Sequence, residues 1–450
     1  MLLDKMRGET SFCPYVNTGT LFDLATGAFK PGVNDSWILN GGLSQCTGIS
    51  GRASTYKSGL AGSLLARALN VYPDAEAIVY ETEGTIADSS RYDNFVPMDQ
   101  HVSDRIVFRN TTDYSLTDFY DDFVKLVNDK ISHKKDYYVE SPFKDPKTNK
   151  PLKCWMPTFI LIDSFSRAKS NKSDDQIANN NIDASSVNSY YLYDGNIKTR
   201  IMEDLPARAS KAGIYVIMTA HVGDKMDLDP YRPSPKQLQY MKNNDVMKNV
   251  GSKFEFLTTC LIQTLKATSM QTNDKKCLYP LGNKSSDVEV NCVDTMMVRC
   301  KNNAGGYLVP FVLSQYQGLL DTVTNFQFLR DHKNYGMNVQ GNNQKFNPYI
   351  LHDTTITRTN IREISDDYKL RRALELTAQL CFIQNLWGTF FLPDFINVPP
   401  EKFAEALSKS EKCSVDRVLN STGTWTFGKQ ERERLTILDV LFLLNKEKLI

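Results

Sequence analysis

The stretch SGRASTYKSG, residues 50 to 59, carries residue types that bind phosphate groups. A phosphate-binding P-loop has the pattern G-x-x-x-x-G-K-[ST], in which backbone N–H groups and a lysine surround the phosphates. Gly51, Lys57 and Ser58 fall on this pattern. Gly51 would permit the tight turn, Lys57 would contact the β- and γ-phosphates, and the Ser58 hydroxyl would coordinate Mg²⁺.

The second glycine of the pattern is missing, and Tyr56 stands in its place. A phosphate loop is compatible with this departure if the sixth position is near-helical and its side chain points away. The alternative is a Gly/Ser-rich loop that matches the pattern by chance. The residues that the first interpretation places around a nucleotide are Gly51, Arg52, Ala53, Ser54, Thr55, Tyr56, Lys57 and Ser58.

Three more polar residues stand at the ends of apolar, strand-like segments. Asp163 ends FILID, where a second carboxylate would hold the water shell of Mg²⁺. Glu83 ends AIVYETE, where a carboxylate could act as general base on an attacking water. His221 ends IYVIMTAH, where it could sense the γ-phosphate and pass its state to the next loop. Taken singly, the three also fit a turn-capping Asp, a solvated Glu and a backbone-bonded His.

The elements around these residues alternate between strand and helix. The loop lies between a strand-like stretch ending at Gly51 and the helical pattern SGLAGSLLARALNVYP, which ends at Pro73. The segments that follow are the strand AEAIVYETEG, the strand RIVFRNTT, the amphipathic helix SLTDFYDDFVKLVNDKISHK, an inserted hairpin over 137–155, the strand PTFILIDS, the helix NIKTRIMEDLPARASKAG and the strand IYVIMTAH. This order predicts an α/β fold with a mainly parallel sheet and an antiparallel edge, which binds its ligand at the carboxyl ends of the strands.

Length and composition favour a protein with one large unit and a smaller one. The chain has 450 residues, of which 41% are hydrophobic and 23% charged. We expect an N-terminal extension over 1–36 with a hairpin around Thr26 and Gly27, a core over 37–335 and a smaller, mostly helical C-terminal domain over 345–450.

Several composition features exclude other classes. The net charge of +1 gives no global basic field, so any nucleic-acid binding must come from a local patch. No apolar run reaches the about 18 residues of a membrane span, so we expect no membrane partner. Nine scattered cysteines without C-x-x-C spacing, and only five histidines, indicate reduced thiols in a cytoplasmic setting rather than a zinc cluster.

A long polar loop is expected over 222–252, and the chain is basic from Pro230 to Lys253. Tyr231 and Tyr240 are interleaved with the basic residues, whereas Asp245 is the acidic exception. Basic and aromatic side chains together can clamp a nucleic-acid backbone and stack bases, although a solvated surface loop is the alternative. The candidate contacts are Arg232, Lys236, Lys242, Lys248 and Lys253, and a second, weaker contact loop contains Tyr190, Tyr191 and Tyr193.

The chain resembles the RecA-type recombinases, in particular the bacteriophage UvsX-like branch. The stretches that carry the resemblance are NGGLSQCTGISGRASTYKS, YPDAEAIVYETEG, FILIDSFSRA, and VIMTAH with the later VGSKFEF. The phage branch also has an aromatic residue before the P-loop lysine, which matches Tyr56. The catalytic glutamate of the family falls on Glu83, its Walker B aspartate on Asp163, and the histidine sensor of the phage branch on His221.

A fifth stretch, VRCKNNAGGYLVPFVLSQYQGLLD, resembles the strand pair whose lysines reach the ATP of a neighbouring subunit. Lys301 matches one lysine, Asn303 replaces the second basic residue, and Arg299 is an available substitute. The resemblance covers roughly residues 38 to 330. It implies a RecA-like P-loop ATPase core that binds ATP and Mg²⁺ at subunit interfaces and forms homo-oligomeric filaments on single-stranded DNA. It also implies a place in the host cytoplasm or a phage replication compartment.

Three functions follow as hypotheses. The first is a DNA-dependent ATPase and strand-exchange recombinase for recombination and repair, with Lys57, Glu83 and His221 as catalytic residues. The second is a hexameric helicase of the related core, against which the lack of a separate N-terminal collar domain argues. The third is a RecA-like accessory protein that hydrolyses ATP poorly, against which the presence of both Glu83 and Asp163 argues.

Overall fold

A computed structural model gives the architecture of the protein. It describes residues 12–84, 88–97, 99–110, 114–170, 187–224, 245–251, 253–282, 290–342, 344–387, 394–428 and 430–450. The strands are β1 Ala28–Pro31, β2 Trp37–Asn40, β3 Cys46–Gly51, β4 Glu76–Glu81, β5 Ile106–Asn110, β6 Tyr138–Lys144, β7 Pro151–Trp155, β8 Thr158–Asp163, β9 Ile214–Asp224, β10 Asp245–Met247, β11 Cys260–Ser269, β12 Val290–Cys300, β13 Leu308–Ser314, β14 Gly318–Leu319, β15 Met337–Gln340, β16 Lys345–Pro348 and β17 Ile356–Thr357. The α-helices are α1 Leu21–Thr26, α2 Lys57–Val71, α3 Leu116–Ser132, α4 Lys134–Tyr137, α5 Val187–Ala212, α6 Phe254–Leu257, α7 Asp321–Asp331, α8 Tyr368–Phe382, α9 Pro400–Lys409, α10 Val415–Leu419 and α11 Ile437–Lys446.

The main sheet is large and mostly parallel. Its strand order is β14-β13-β12-β11-β3-β9-β8-β4-β5, and β10 pairs with β9 outside this path. Every neighbouring pair from β11 to β5 is parallel, whereas β12, β13 and β14 form an antiparallel edge. The predicted α/β class, with a mainly parallel sheet and an antiparallel edge, is confirmed.

Helices cover both faces of the sheet, which explains why its central strands are apolar throughout. On one face α2 buries Leu60, Leu64 and Leu69 in a cluster with Ile49, Val79 and Leu161. On the other face α3 and α5 bury Phe119, Phe123 and Leu205 against Ile160 and Val216. Ser115 and Asp118 start α3 with a capping box, in which each side chain satisfies a backbone N–H of the first turn.

The N-terminal segment differs from its prediction. The expected hairpin around Thr26 and Gly27 is wrong, because Leu21–Thr26 forms the short helix α1. Asp23 stabilises the segment just before this helix, because its carboxylate accepts hydrogen bonds from the backbone N–H groups of Thr18 and Gly19. Strand β1 pairs instead with β2, so WILN belongs to a small hairpin outside the main sheet. The inserted hairpin over 137–155 is confirmed as the antiparallel pair β6 and β7.

The two ends of the chain meet on the α2 face of the sheet. The Trp425 backbone N–H donates to Asn17 Oδ1 over 3.0 Å, and the Trp37 N–H donates to Asp439 Oδ1 over 2.7 Å. Apolar side chains as far apart in the sequence as Val16 and Leu444 belong to one buried cluster. This cluster includes the α2 face of the sheet. The proposed divisions of the chain after residue 36 and after residue 335 remain predictions.

Two further observations concern the described part of the chain as a whole. None of its helices has the length and apolar character needed to cross a membrane. All nine cysteines lie within this part, and none of them forms a disulfide.

We predict that Gly213→Ala destabilises the protein and that Gly195→Ala does not. Gly213 joins α5 to β9 at φ +61°, and a Cβ there would lie 2.2 Å from the Cβ of Trp155. We expect a loss of about 2 kcal/mol or more in the free energy of unfolding, because both the backbone and the space exclude a side chain. Gly195 lies within α5 with open space at its Cβ position. Alanine there should therefore raise the free energy of unfolding by about 0.5–1 kcal/mol. Urea denaturation of both variants measures the difference, and equal stability would contradict the description of the α5–β9 junction.

Candidate active site

The proposed site residues meet at the carboxyl edge of four neighbouring parallel strands. In the register of the sheet, Gly51 at the end of β3 is opposite His221 on β9. Glu81 at the end of β4 is opposite Asp163 at the end of β8. The loop after β3 and the turn after β4 therefore lie at the same edge of the sheet, which is where α/β sheets bind their ligands.

Gly51 is required by crowding. A Cβ at this position would lie 1.9 Å from Thr264 Oγ1 and 2.7 Å from Thr55 Oγ1. These two hydroxyls are 2.6 Å apart and bind each other, so they close the loop against strand β11. Any side chain at residue 51 would separate the loop from β11.

Tyr56 adopts the backbone conformation that the missing glycine would have. Its φ of 61° and ψ of 27° are left-handed, so the expectation of a near-helical sixth position is wrong. A non-glycine residue pays about 1–2 kcal/mol for this conformation. The Tyr56 hydroxyl accepts hydrogen bonds from Asn291 Nδ2 at 2.6 Å and Gln315 Nε2 at 3.2 Å. These bonds hold the ring against β12 and the β13–β14 turn and offset the backbone cost.

Lys57 begins α2, and its ammonium is buried inside the loop. Its Nζ donates a hydrogen bond to the Arg52 carbonyl oxygen over 2.8 Å. Burial lowers the pKa of Lys57, and the nearby carboxylates of Asp163 and Glu83 oppose this shift. The loop thus encloses a cation that is poorly solvated, next to the N-terminus of a 15-residue helix. Both features favour an anion in the loop.

Asp163 joins the end of β8 to β9 and to the first turn of α2 through one oxygen. Its Oδ1 accepts from Ser58 Oγ over 2.9 Å and from Thr219 Oγ1 over 2.6 Å. Burial raises the pKa of this carboxyl, the bonds from Thr219 and Ser58 lower it, and the charges of Glu83 and Glu81 raise it further. Sequence reasoning missed Thr219, although its position two residues before His221 puts both side chains on one face of β9.

Glu83 and His221 are in direct contact. Glu83 Oε1 lies 2.9 Å from His221 Nε2 and 3.3 Å from Arg167 Nε. The Glu83 side chain keeps 26% of its surface exposed, so water can reach the carboxylate. Arg167 was not predicted, and its only sequence signal is a position four residues after Asp163.

Arg52 directs its side chain away from the centre of the loop. Its guanidinium pairs with Asp224 Oδ1 at 2.5 Å and Asp245 Oδ1 at 2.9 Å. Asp224 ends β9 and Asp245 begins β10, so these carboxylates flank residues 225–244. In this arrangement Arg52 can offer only its backbone to a phosphate. Ala53 and Ser54 are exposed at the tip of the loop.

Lys301 lies apart from the other proposed site residues. Its backbone N–H donates to the Thr259 carbonyl, just before the start of β11 and hence at the amino edge of the parallel strands. The Arg299 guanidinium donates to the carbonyls of Glu255 and Phe256. The role of Lys301 toward a neighbouring subunit stays a prediction.

The predicted DNA contacts are described only in part. Arg232, Lys236 and Lys242 lie outside the described residues, together with the interleaved tyrosines and the side chains of Tyr190 and Tyr191. Lys248 Nζ donates to the Asp224 carbonyl over 2.7 Å, and Lys253 pairs with Glu203. Tyr193 is exposed.

The proposed metal ligands fit Mg²⁺ that arrives with a nucleotide. Within the described ranges no three His, Cys, Asp or Glu side chains are grouped closely enough to hold a metal ion by themselves. Mg²⁺ is instead usually held by one or two carboxylates together with waters and phosphate oxygens. The Ser58 hydroxyl and the Asp163 carboxylate, joined at 2.9 Å, supply the protein part of such a set.

We predict that Tyr56→Gly is more stable than Tyr56→Ala by about 1 kcal/mol, because only glycine takes a left-handed φ without cost. Both variants lose the ring and its two hydrogen bonds, so their difference isolates the backbone term. At an ordinary helical position alanine would be the more stable of the two by about the same amount. Thermal unfolding of the pair measures the sign, and a more stable alanine variant would show that Tyr56 is not left-handed.

Comparison with known proteins leaves the site to be interpreted from its geometry. The chain matches no protein-family model and no curated protein sequence.

Proposed function

We propose that the protein is a RecA-like, DNA-dependent ATPase that acts as a recombinase on single-stranded DNA. The observation that carries the proposal is the convergence of Lys57, Asp163, Glu83 and His221 at one edge of adjacent parallel strands. A phosphate loop, a magnesium carboxylate and a water-accessible general base are the parts that ATP hydrolysis requires. The resemblance to the RecA-type recombinases supplies the more specific part of the proposal.

Binding of the triphosphate would use the loop and its buried cation. The Lys57 ammonium, which donates to the Arg52 carbonyl in this structure, would turn to the phosphate oxygens. These negatively charged oxygens would replace the water that burial removes from the ammonium. The backbone N–H groups of residues 52–58 and the N-terminus of α2 would bind the remaining oxygens. Mg²⁺, held by Ser58 and Asp163, would neutralise the charge that develops on the transferred group.

Glu83 would act as the general base on the attacking water. Its carboxylate is partly exposed and is oriented by His221 and Arg167. A proton taken by Glu83 would alter its bond with His221, whose backbone N–H donates to Ser166 Oγ over 2.8 Å. His221 thereby connects the reacting centre with the segments that follow β8 and β9.

Single-stranded DNA is proposed as the partner because of the basic segment before Lys253 and the resemblance. Lys248 and Arg52 both bind Asp224, Lys248 through the Asp224 carbonyl and Arg52 through the carboxylate. The nucleotide loop and the proposed DNA segment therefore share a contact in this chain.

The decisive experiment measures Mg²⁺-dependent ATP hydrolysis with and without single-stranded DNA, with electron microscopy of the same samples. We expect DNA to stimulate hydrolysis and filaments to form. Closed rings would favour the helicase alternative, and hydrolysis that DNA does not change would favour the accessory protein. No hydrolysis under any condition would contradict the proposal.

We predict that Lys57→Ala abolishes ATP binding or turnover, because it removes the only cation enclosed by the described loop. Fluorescent-nucleotide titration and phosphate release provide the measurements. Lys125→Ala is the matched control, since Lys125 is exposed on α3 and should tolerate the same change. Normal turnover by Lys57→Ala would remove the P-loop assignment.

We predict that Glu83→Gln still binds ATP and DNA but loses turnover by about 10²- to 10⁴-fold, the range typical of a lost general base. The amide keeps the size of the side chain and cannot accept the proton from water. Glu76→Gln, an exposed change at the start of β4, should leave turnover unchanged. Wild-type hydrolysis by Glu83→Gln would show that another group is the base.

A further inference from the structure

Glu81 is a buried carboxylate at the end of an apolar strand, two residues before the proposed base. Only 2% of its surface is exposed. Its Oε1 accepts a hydrogen bond from the Glu83 backbone N–H over 2.9 Å, and its Oε2 accepts from the Gly84 N–H over 2.5 Å. Each oxygen of the carboxylate thus binds the backbone of the turn that carries Glu83.

The residue between the two glutamates is fixed to the neighbouring strand. The Thr82 N–H donates to the Asp163 carbonyl over 2.7 Å, and Thr82 Oγ1 donates to the Ser164 carbonyl over 2.9 Å. The Ser164 N–H returns a bond to Thr82 Oγ1 over 2.7 Å. The end of β4 is therefore attached to the end of β8, and Glu81 extends this rigid unit by two residues.

The two glutamates differ in what their carboxylates can do. Glu81 is buried and both its oxygens accept backbone bonds, so its carboxylate has little contact with water. Glu83 is partly exposed and binds only side chains, His221 and Arg167, among its described contacts. The geometry therefore separates the role of base from the role of support.

We propose that Glu81 is the positioning residue that holds the backbone of Glu83 in place for hydrolysis. The catalytic part of this inference rests on the proposed function, whereas the backbone part does not. A general base acts only within hydrogen-bond reach of its water, and a displacement of about 1 Å can cost about 10²-fold in rate. Without Glu81, the turn at Glu83 and Gly84 would lose the acceptors that define it.

The test uses Glu81→Ala, Glu81→Asp and the control Glu76→Ala, which removes an exposed carboxylate from the same strand. For Glu81→Ala we expect kcat to fall by about 10- to 100-fold, while the KM for ATP changes by less than about 3-fold. Glu81→Asp should recover part of the loss, because an Asp carboxylate can still accept from the N–H two residues on. If Glu81 acted only in packing, we would expect neither a fall in kcat with a nearly unchanged KM nor a partial recovery in Glu81→Asp.

Hydrogen–deuterium exchange without nucleotide measures the backbone role directly. In the peptide that contains the Glu83 and Gly84 N–H groups, we expect exchange at least about 10-fold faster in Glu81→Ala than in the wild type or in Glu76→Ala. Unchanged exchange would overturn the inference even if the wild type proved unable to hydrolyse ATP. If Glu81→Ala fails to fold, Glu81→Asp carries the same measurement with a smaller expected change.

The kinetic outcomes divide clearly. Wild-type hydrolysis with an unchanged kcat in Glu81→Ala would overturn the positioning role. A variant that loses ATP binding together with turnover would also overturn it, since the damage would then be to the pocket as a whole. Absence of hydrolysis in the wild type would instead overturn the proposed function, and the exchange measurement would still judge the backbone role of Glu81.

Discussion

The whole site depends on one buried carboxylate, that of Asp163. It ends β8, accepts from Ser58 at the start of α2 and accepts from Thr219 on β9, so it joins two neighbouring strands and the helix that follows the loop. Burial makes this charge costly, as the raised pKa of Asp163 shows. The two hydroxyl donors and the nearby Lys57 ammonium reduce the cost only in part. In the proposed function, Mg²⁺ held at this point would complete the balance.

Tyr56 shows that a glycine in a motif can mark a backbone conformation rather than a need for glycine itself. The P-loop pattern records a residue type, but the loop requires a backbone conformation, and a tyrosine held by Asn291 and Gln315 meets that requirement. Gly51 shows the opposite case, since no bond could compensate for the space that Thr264 and Thr55 occupy. One glycine of the pattern is therefore replaceable and the other is fixed, for different physical reasons.

The sequence predicted most of what depends on local pattern. The parallel strands, the helix after the loop and the meeting of Lys57, Asp163, Glu83 and His221 followed from apolar runs and from polar residues at strand ends. Individual side-chain pairs away from these strand ends could not be predicted this way. Arg52 binds Asp224 and Asp245, and no pattern in the loop indicates these partners. Glu81 was overlooked because it completes an apolar run, where a glutamate resembles the first residue of the following loop. Helix α1 was missed because Asp23 binds the preceding backbone of Thr18 and Gly19, and the alternating pattern of the stretch does not reveal these bonds.

The meeting of the two chain ends has a consequence for how the protein is made. Asn17 receives its hydrogen bond from Trp425, a residue 408 positions later. A ribosome releases the chain from its N-terminus, and domains generally fold as they emerge. Here Asn17 and Trp37 lack these hydrogen-bond partners until residues 425 and 439 have been synthesised. The segments around Trp425 and Asp439 are therefore a condition for completing the fold of the first described residues.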